Sequence, residues 1–575
     1  MKYIRSGVAG TTTGAGRGAS ARPVDAAPEP WEQYSVPDRR APTEEFTPRE
    51  LLALAPYFTN LIGPVFALTN LPETVKGALF ARYSRSAKSL RRLFLDEFLG
   101  NLGEQQAGGS RVGIERAEQL YGRVFGDYGD DSVAQLGAVH LACEGVSNIL
   151  TKVLEWGRLM AYLEQSTRYV PYTDRPEGRW KYHVPAEIAD PPLRARYQAT
   201  LDRAFEIYAR WLEPMQAHFR ARYPKAAADS ENVYRAAIRA KALDTLRGLL
   251  PAAVQSNVGL FGSGQAYEAL LLRMRAHPLA EVRRYADLML PELRKVVPAF
   301  LTRVDQPERG GRWSQYLADT RSVTQSVAGR LLESVQVESR PEVILTDYDP
   351  EGEVKVVAAA LYAASDLPDD QLLAIARRMT AEERASVLRA YVGDRGNRRH
   401  KPGRAFERIT YRFDILADYG AFRDLQRHRM LTLEWQPLAP RHGYVEPEAI
   451  EEAGAHDDWL QVMDASSELY DALQAQGLTA AAPYAVAMAY RIRFYMEMNA
   501  REAMHVIELR TSPQGHPAYR RICQEIHRLI AEQAGHRLIA GAIGFADHSA
   551  VELERLKAER ASEQRRLTRD KPAGT

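Results

Sequence analysis

The chain has 575 residues, too many for one ordinary hydrophobic core, so two or more domains are expected. Its 76 Lys and Arg nearly balance 74 Asp and Glu, giving a net charge of +2; this excludes a surface coated for nucleic-acid or membrane binding and makes any anion site a local one. Cys143 and Cys523 are its two cysteines and make no CxxC, so neither a disulfide framework nor a cysteine zinc site is expected.

Residues 1–45 are rich in Gly, Ala, Thr, Pro and Arg without periodic apolar positions, and read as a disordered arm. GAGRGAS at residues 14–20 has no strand before it and no amphipathic helix after it, so it is not read as a phosphate loop. The most membrane-like stretch, residues 51–72, is interrupted by prolines and asparagines, and the chain opens without a cleavable apolar segment. The expectation is a soluble, cytoplasmic protein that binds neither membrane nor nucleic acid.

From 46 to 305 the pattern reads as helical, with Leu136, Val139, Val146, Leu150, Val153 and Leu154 at turns of about 3.6 residues. Residues 306–340 read as a linker in which VAGRLLESV is a short helix. A second domain, 341–548, starts with a β-rich run at 343–345, a turn at Asp349-Pro350-Glu351-Gly352, and Val354, Val357, Ala358 and Leu361 on a helical face. RITYRFDILADYG alternates as a half-buried strand. Residues 549–575 read as a charged helical tail, a solvated extension.

Two segments 271 residues apart carry the chemistry: WGRLMAYLEQSTRY, with Ser166, Arg168 and Tyr169, and QRHRMLTLEW, with Arg427, His428 and Arg429. Three adjacent cationic or titratable side chains can clasp a diphosphate, while a hydroxyl and a guanidinium two residues apart suit a nucleotide phosphate. The thirteen histidines show no HExxH spacing, so no metal is expected. Cys143 reads as a buried small hydrophobe, and His277 and His516 as packing or capping residues.

On these residues the chain resembles the flavin-dependent thymidylate synthases, whose signature runs Arg-His-Arg, two variable residues, Ser, one variable, Asn or Gln, two variable, Ser, one variable, Arg-Tyr. The resemblance occurs twice. The first copy has Trp156-Gly157-Arg158 in place of Arg-His-Arg and keeps Ser166, Arg168 and Tyr169. The second keeps Arg427, His428 and Arg429 but has Pro437, Ala439 and Pro440 at the later positions. A second signature gives Asn499, Arg501, His505 and Arg510 in MNAREAMHVIELR; in GSGQAYEALLLR it gives Gly262 and Gly264 at the flavin-contacting positions, with Arg273 kept. Arg247 stands where the family holds nucleotide, and Glu407 survives from a flavin-contacting element whose first-copy version holds Ser132.

The resemblance implies two tandem α+β domains, helix-rich, in complementary degenerate copies. Copy one would supply the nucleotide side: Ser166, Arg168, Tyr169 and Arg247 for substrate binding, with Arg273 activating the uracil ring and Ser166 beside it. Arg510 is the equivalent of Arg273 if the geometry is reversed. Copy two would supply the FAD side through Arg427, His428, Arg429, Glu407, Asn499, Arg501 and His505. The implied reaction is reductive methylation of dUMP to dTMP with methylenetetrahydrofolate and NADPH. A homodimer would form a four-domain pseudo-tetramer. Modification of another pyrimidine nucleotide, or a non-catalytic nucleotide-binding or assembly role, stays open here. Arg158 and Arg273 lie 115 residues apart against 81 between Arg429 and Arg510, and the extra length is assigned to residues 171–200.

Overall fold

The computed structural model describes residues 46–61, 66–83, 86, 88–99, 135–168, 170–553 and 555–569. The arm at 1–45, Ser132 and Tyr169 fall outside them. Residues 46–61, 66–71, 86 and 88–99 belong to a small unit in which helix α1 (Pro48–Leu54) starts from a Thr47–Glu50 capping box and Phe94 packs on Tyr57 and Phe58. The remaining described residues, including α2 (Glu73–Tyr83), belong to the other unit. No helix among the described residues is long and apolar enough to cross a membrane.

In the larger unit the same order of elements occurs twice. Copy one runs β1 (Ala138–Ser147), α3 (Asn148–Leu154), β2 (Met160–Glu164), α4 (Pro191–Arg222), α5 (Glu231–Leu246), β3 (Gln255–Ser263), α6 (Gly264–Arg275) and α7 (Ala280–Arg294). A helix, α8 (Arg312–Leu332), longer than the short one expected there, lies exposed in the linker. Copy two runs β4 (Val343–Tyr348), α9 (Gly352–Tyr362), β5 (Thr410–Asp418), α10 (Tyr419–Leu425), β6 (Thr432–Trp435), α11 (His456–Ala475), β7 (Arg491–Asn499), α12 (Ala500–Arg510) and α13 (Pro517–Glu532). Both sheets are antiparallel, with orders β1-β3-β2 and β4-β5-β7-β6. Thus β1, β2 and β3 match β5, β6 and β7, and β4 is added.

Three sequence expectations change. Leu136, Val139 and Val146 are not helical: β1 is a strand whose inward residues are Val139, Cys143 and Val146. A bulge between Cys143 and Val146, with Gly145 at φ +67, adds one residue to the strand. The resulting spacings of four and three mimic a helix. The extra length of copy one is the pair α4 and α5 where copy two has α11, and only the start of α4 falls within 171–200. The charged tail is a helix, α14 (Leu556–Arg569), and it is docked: Arg560 forks onto Asp229, and Ser230 donates to Glu563 at 2.6 Å.

Alternation in β5 and β7 buries Tyr411, Phe413, Ile415, Ile492, Phe494 and Met496. That core is continuous with Phe205, Tyr208, Leu243 and Leu246 of α4 and α5. The copies are also stitched by backbone: Ala252 N donates to Val486 O at 2.8 Å and Met488 N to Leu250 O at 2.9 Å. Unlike copies therefore meet within one chain.

Candidate active site at the junction of the two copies

Helix caps give the correspondence between copies. The side chains of Ser147 and Asp418 cap α3 and α10, and those of Ser263 and Asn499 cap α6 and α12. Counting from the first pair aligns Trp156-Gly157-Arg158 with Arg427-His428-Arg429, as the sequence has it. Counting from the second aligns Ser263 with Asn499 and Gln265 with Arg501, so Gly262 and Gly264 are one residue off those positions. Met274, not Arg273, is the counterpart of Arg510.

Glu164, at the end of β2, has a fully buried side chain. It accepts from Arg423 at 2.7 Å, Arg427 at 2.8 Å and Lys152 at 3.4 Å. Burial pushes its pKa up, but Arg423, Lys152 and Arg427 outweigh that and hold it below the usual carboxylate range. Its counterpart in copy two is Trp435, and the counterpart of Arg427 is Trp156. These two rings pack edge to face with centroids 6.3 Å apart. An ion pair on one side of the junction is thus matched by an aromatic pair on the other. Both partners differ together, so neither side strands a buried charge. The same exchange runs further: Arg168, Arg247, Asp424 and Arg510 correspond to Ala439, Pro483, Val153 and Met274.

The polar members converge. Arg168 binds Asp244 through Nε and Nη2, at 2.7 and 2.6 Å, and its Nη1 reaches the Tyr519 hydroxyl at 3.4 Å. Arg510 lies over the Tyr519 ring, 5.4 Å from its centroid, and donates from Nε to His428 Nε2 at 2.9 Å and from Nη2 to the Asp424 carbonyl. Arg247 stands 3.8 Å from Asp418 and 3.9 Å from Asp424, and its buried Nη2 has no acceptor. Burial raises the Asp424 carboxyl, yet Arg510, Arg427, Arg247 and Arg168 together pull it below its usual value. One carboxylate thus feels guanidiniums from both copies. A cleft of about 440 Å³ opens at Asp244, the partner of Arg168, lined also by Phe219, Tyr223, Lys241, Thr245 and His516 among others.

On the other side of Arg510, burial with Arg510, His505 and Lys401 nearby holds His428 well below its ordinary pKa. His428 is therefore neutral. Since Nε2 accepts from Arg510, Nδ1 carries the proton and faces Glu502 at 3.6 Å. Burial pushes Glu502 up to about 7, and burial with Lys401 lowers His505 to about 4. His428, Glu502 and His505 bring ligand atoms within 4.8 Å of one another. Arg510 occupying His428 Nε2, with Lys401 alongside, makes these surroundings cationic, which favours an anion over a metal ion.

Other expected residues are placed as follows. Ser166 Oγ accepts from Arg168 N at 3.2 Å, a local turn with no base beside it. Asn499 caps α12 by accepting from Glu502 N at 2.8 Å. Arg501 donates to the Pro402 carbonyl at 2.9 Å and pairs with Glu407 at 3.3 Å. Arg429 donates to the Met160 carbonyl. Arg273 lies over the Trp156 ring, 5.2 Å from its centroid, and it is Arg510 that adjoins Tyr519 and so the Arg168 group. His516 caps α13, its Nδ1 accepting from Ala518 N at 3.2 Å, and His277 Nδ1 accepts from Leu279 N at 3.2 Å in the turn before α7. Sequence reasoning missed Glu164, Asp244, Asp424, Glu502 and Tyr519. Glu164 was the most findable, lying inside the quoted segment.

Comparison with known proteins is consistent with the duplicated fold. The family described as thymidylate synthase complementing protein matches residues 78–299 and again 343–534. The chain belongs to that family. It is similar to a UPF0159 protein of Chlamydia pneumoniae, 37% identical over 526 residues that cover 90% of this chain and 98% of the relative. A UPF0159 protein of Thermoplasma acidophilum is 29% identical over 510 residues, 84% and 97% of the two chains. A flavin-dependent thymidylate synthase of Clostridium tetani is 26% identical over 174 residues, 30% of this chain and 64% of that one. Among solved structures, the UMP/dUMP methylase PolB of Streptomyces cacaoi, bound with 5-Br dUMP, covers 36% of this chain and 97% of its own. Its identity is 17% and its TM-score 0.28.

Proposed function

We propose that the chain is a flavin-dependent enzyme that reductively methylates a uracil nucleotide, dUMP to dTMP, at one composite site per chain. The observation that carries this reading is Arg510: it touches His428 on the side proposed for FAD and stands against Tyr519, the partner of Arg168, on the side proposed for nucleotide. Methylenetetrahydrofolate would supply the one-carbon unit and NADPH the reducing equivalents.

On this reading Arg168, Arg247 and Ser166 hold the nucleotide phosphate. Arg247 supports that role as a buried guanidinium whose Nη2, 3.8 Å from Asp418, makes no hydrogen bond. The cleft at Asp244, the carboxylate that Arg168 binds, is of a size for the nucleoside. Arg510, rather than Arg273, sits where it can stabilise negative charge developing on the uracil ring. Its own direction is fixed by His428 and the Asp424 carbonyl.

For FAD the donor set fits an anionic, hydrogen-bonding group: Arg427 has a buried Nε without an acceptor, and Lys401, Arg501, His428 and His505 gather around Glu502. When bound, the flavin would supply hydride chemistry that no side chain can. The residues' task is to orient it and exclude water. Glu502, near neutrality beside the Nδ1 proton of His428, is a carboxyl able to take or give a proton there.

Complementation of a thymidine-requiring cell is the test. Growth with the wild type, lost with Arg510→Lys and Arg168→Gln while both variants stay folded, is expected. A wild-type chain that binds neither flavin nor dUMP and fails to complement would end this reading.

A further inference from the structure

The linker helix α8 (Arg312–Leu332) is 21 residues and about 31 Å long, and none of its residues is buried. One side of it is held. Ser314 Oγ donates to the Leu272 carbonyl at 3.2 Å and Arg321 Nη1 to the Ala276 carbonyl at 2.7 Å, so that side rests on the end of α6. With 3.6 residues per turn, Ser314, Leu317, Ala318 and Arg321 share the held side and are half-buried. Asp319, Ser322 and Ser326 make a second, polar side open to water. The third side carries Trp313, Tyr316, Thr320, Val323, Val327 and Leu331, spaced by three and four residues.

That third side is uncharged and open: Trp313 is 52% exposed, Tyr316 63%, Val323 62% and Leu331 66%. A helix side that meets only water carries polar residues. Together with Val327 these side chains leave about 500 Å² of apolar surface in one stripe, a contiguous patch rather than a scatter. A stable interface removes about 800 Å² from each partner, so two such stripes, with the stems of Thr324 and Arg330 beside them, come close to one.

The order of side-chain sizes says what faces the stripe. Its bulk lies at one end, Trp313 and Tyr316, and the small Val323 and Val327 lie toward the other. A second stripe laid antiparallel sets Trp313 against Leu331, Tyr316 against Val327 and Thr320 against Val323, which evens the packing along the seam. Laid parallel, it stacks Trp on Trp and leaves valine facing valine. A stripe complementary to its own reverse is what a two-fold axis requires. The helix also falls between the two family-matched segments, 78–299 and 343–534, so this contact belongs to the linker and not to the duplicated fold.

We propose that α8 pairs antiparallel with α8 of a second molecule of this protein, about a two-fold axis, as a homodimer contact. The inference does not rest on the proposed methylation.

The experiment is sedimentation equilibrium of the full chain at micromolar concentrations. Wild type is expected to self-associate; V323E and L331E, which put a charge in the seam, are expected to halve the mass or raise the dissociation constant about tenfold or more. S322E, on the polar side, is expected to match wild type. A Y316C/V327C double variant is expected to form a disulfide between molecules and Y316C alone is not, which reports the pairing even if a glutamate variant fails to fold. Positions 316 and 327 lie about 16 Å apart along one helix, too far to bridge within a chain. A wild type that stays monomeric overturns the proposal, as does association that V323E and L331E both leave within about twofold of wild type. Crosslinking by Y316C alone overturns it too, and so does a monomer that binds phosphatidylglycerol vesicles through this side, which gives the stripe to a lipid surface. Self-association without uracil-nucleotide methylation counts against the assigned reaction alone.

Discussion

Replacing Glu164 by Gln keeps the shape of the side chain and removes the one anion that Arg423, Arg427 and Lys152 share. The carboxylate is fully buried and bonds two guanidiniums at 2.7 and 2.8 Å, so its loss takes the nearest counter-charge from Arg423 and Arg427, while Lys152 keeps Glu155 at 2.6 Å. Breaking a buried charge set from one side costs about 3–5 kcal/mol. Removing Arg427 as well relieves part of that strain, so the double variant should recover about 1–3 kcal/mol relative to the sum of the singles. The assay is urea unfolding of Glu164→Gln, Arg427→Gln and the pair, with midpoints compared at unchanged m. The pH dependence has a definite sign. The folded pKa of Glu164 lies below its unfolded value of about 4.3, so its contribution is complete above that value and fades as pH falls through the lower folded one. The gap between wild type and Glu164→Gln should therefore be level from pH 5 to 8 and shrink in acid. Trp435→Phe, on the aromatic side of the junction, should show a gap that pH does not change. A Glu164→Gln loss under about 1 kcal/mol, or strictly additive singles, would refute the view that charge holds this side of the junction.

Arg510→Lys removes the fork that joins His428 to the Asp424 carbonyl while keeping a cation, so kcat for uracil-nucleotide turnover should fall about 100-fold or more with dUMP affinity little changed; steady-state kinetics checks this. Gly420→Ala would place a methyl 2.7 Å from Arg247 Nη2, displacing the guanidinium; dUMP binding by calorimetry should weaken about tenfold while flavin absorbance is retained. For Glu502 the pH sign reverses that of Glu164. Its folded pKa of about 7 lies above the unfolded value, so the native state binds the extra proton and stability falls as pH rises from about 4.3 to 7. The fall in melting temperature across that window should flatten in Glu502→Gln.

Much of the candidate site could be named in advance because its residues are grouped in the chain. Arg427, His428 and Arg429 are consecutive, Ser166 and Arg168 are two apart, and Asn499, Arg501 and Arg510 share one helix, so a one-dimensional signature carries them. The exchange of Arg168 for Ala439 and of Arg427 for Trp156 also showed that the copies are complementary. Elsewhere the pattern misled for a physical reason. The bulge at Gly145 gave the inward residues of β1 the spacing of a helix, and the pairing of Arg273 with Arg510 is one residue off the one that the caps of α6 and α12 give.

From the sequence alone came the duplication, the helix-rich α+β class, and which copy keeps which half of the signature, since these rest on residue identity and spacing along the backbone. Only the tertiary structure decided what those residues meet. It closed unlike copies on each other within one chain, gave Arg427 a buried Glu164 and Arg168 an Asp244, and set Arg510 between His428 and Tyr519. Such pairings join positions as far as 351 residues apart. Charge complementarity and close packing choose among the many partners a sequence permits, and that choice exists only once the chain has folded.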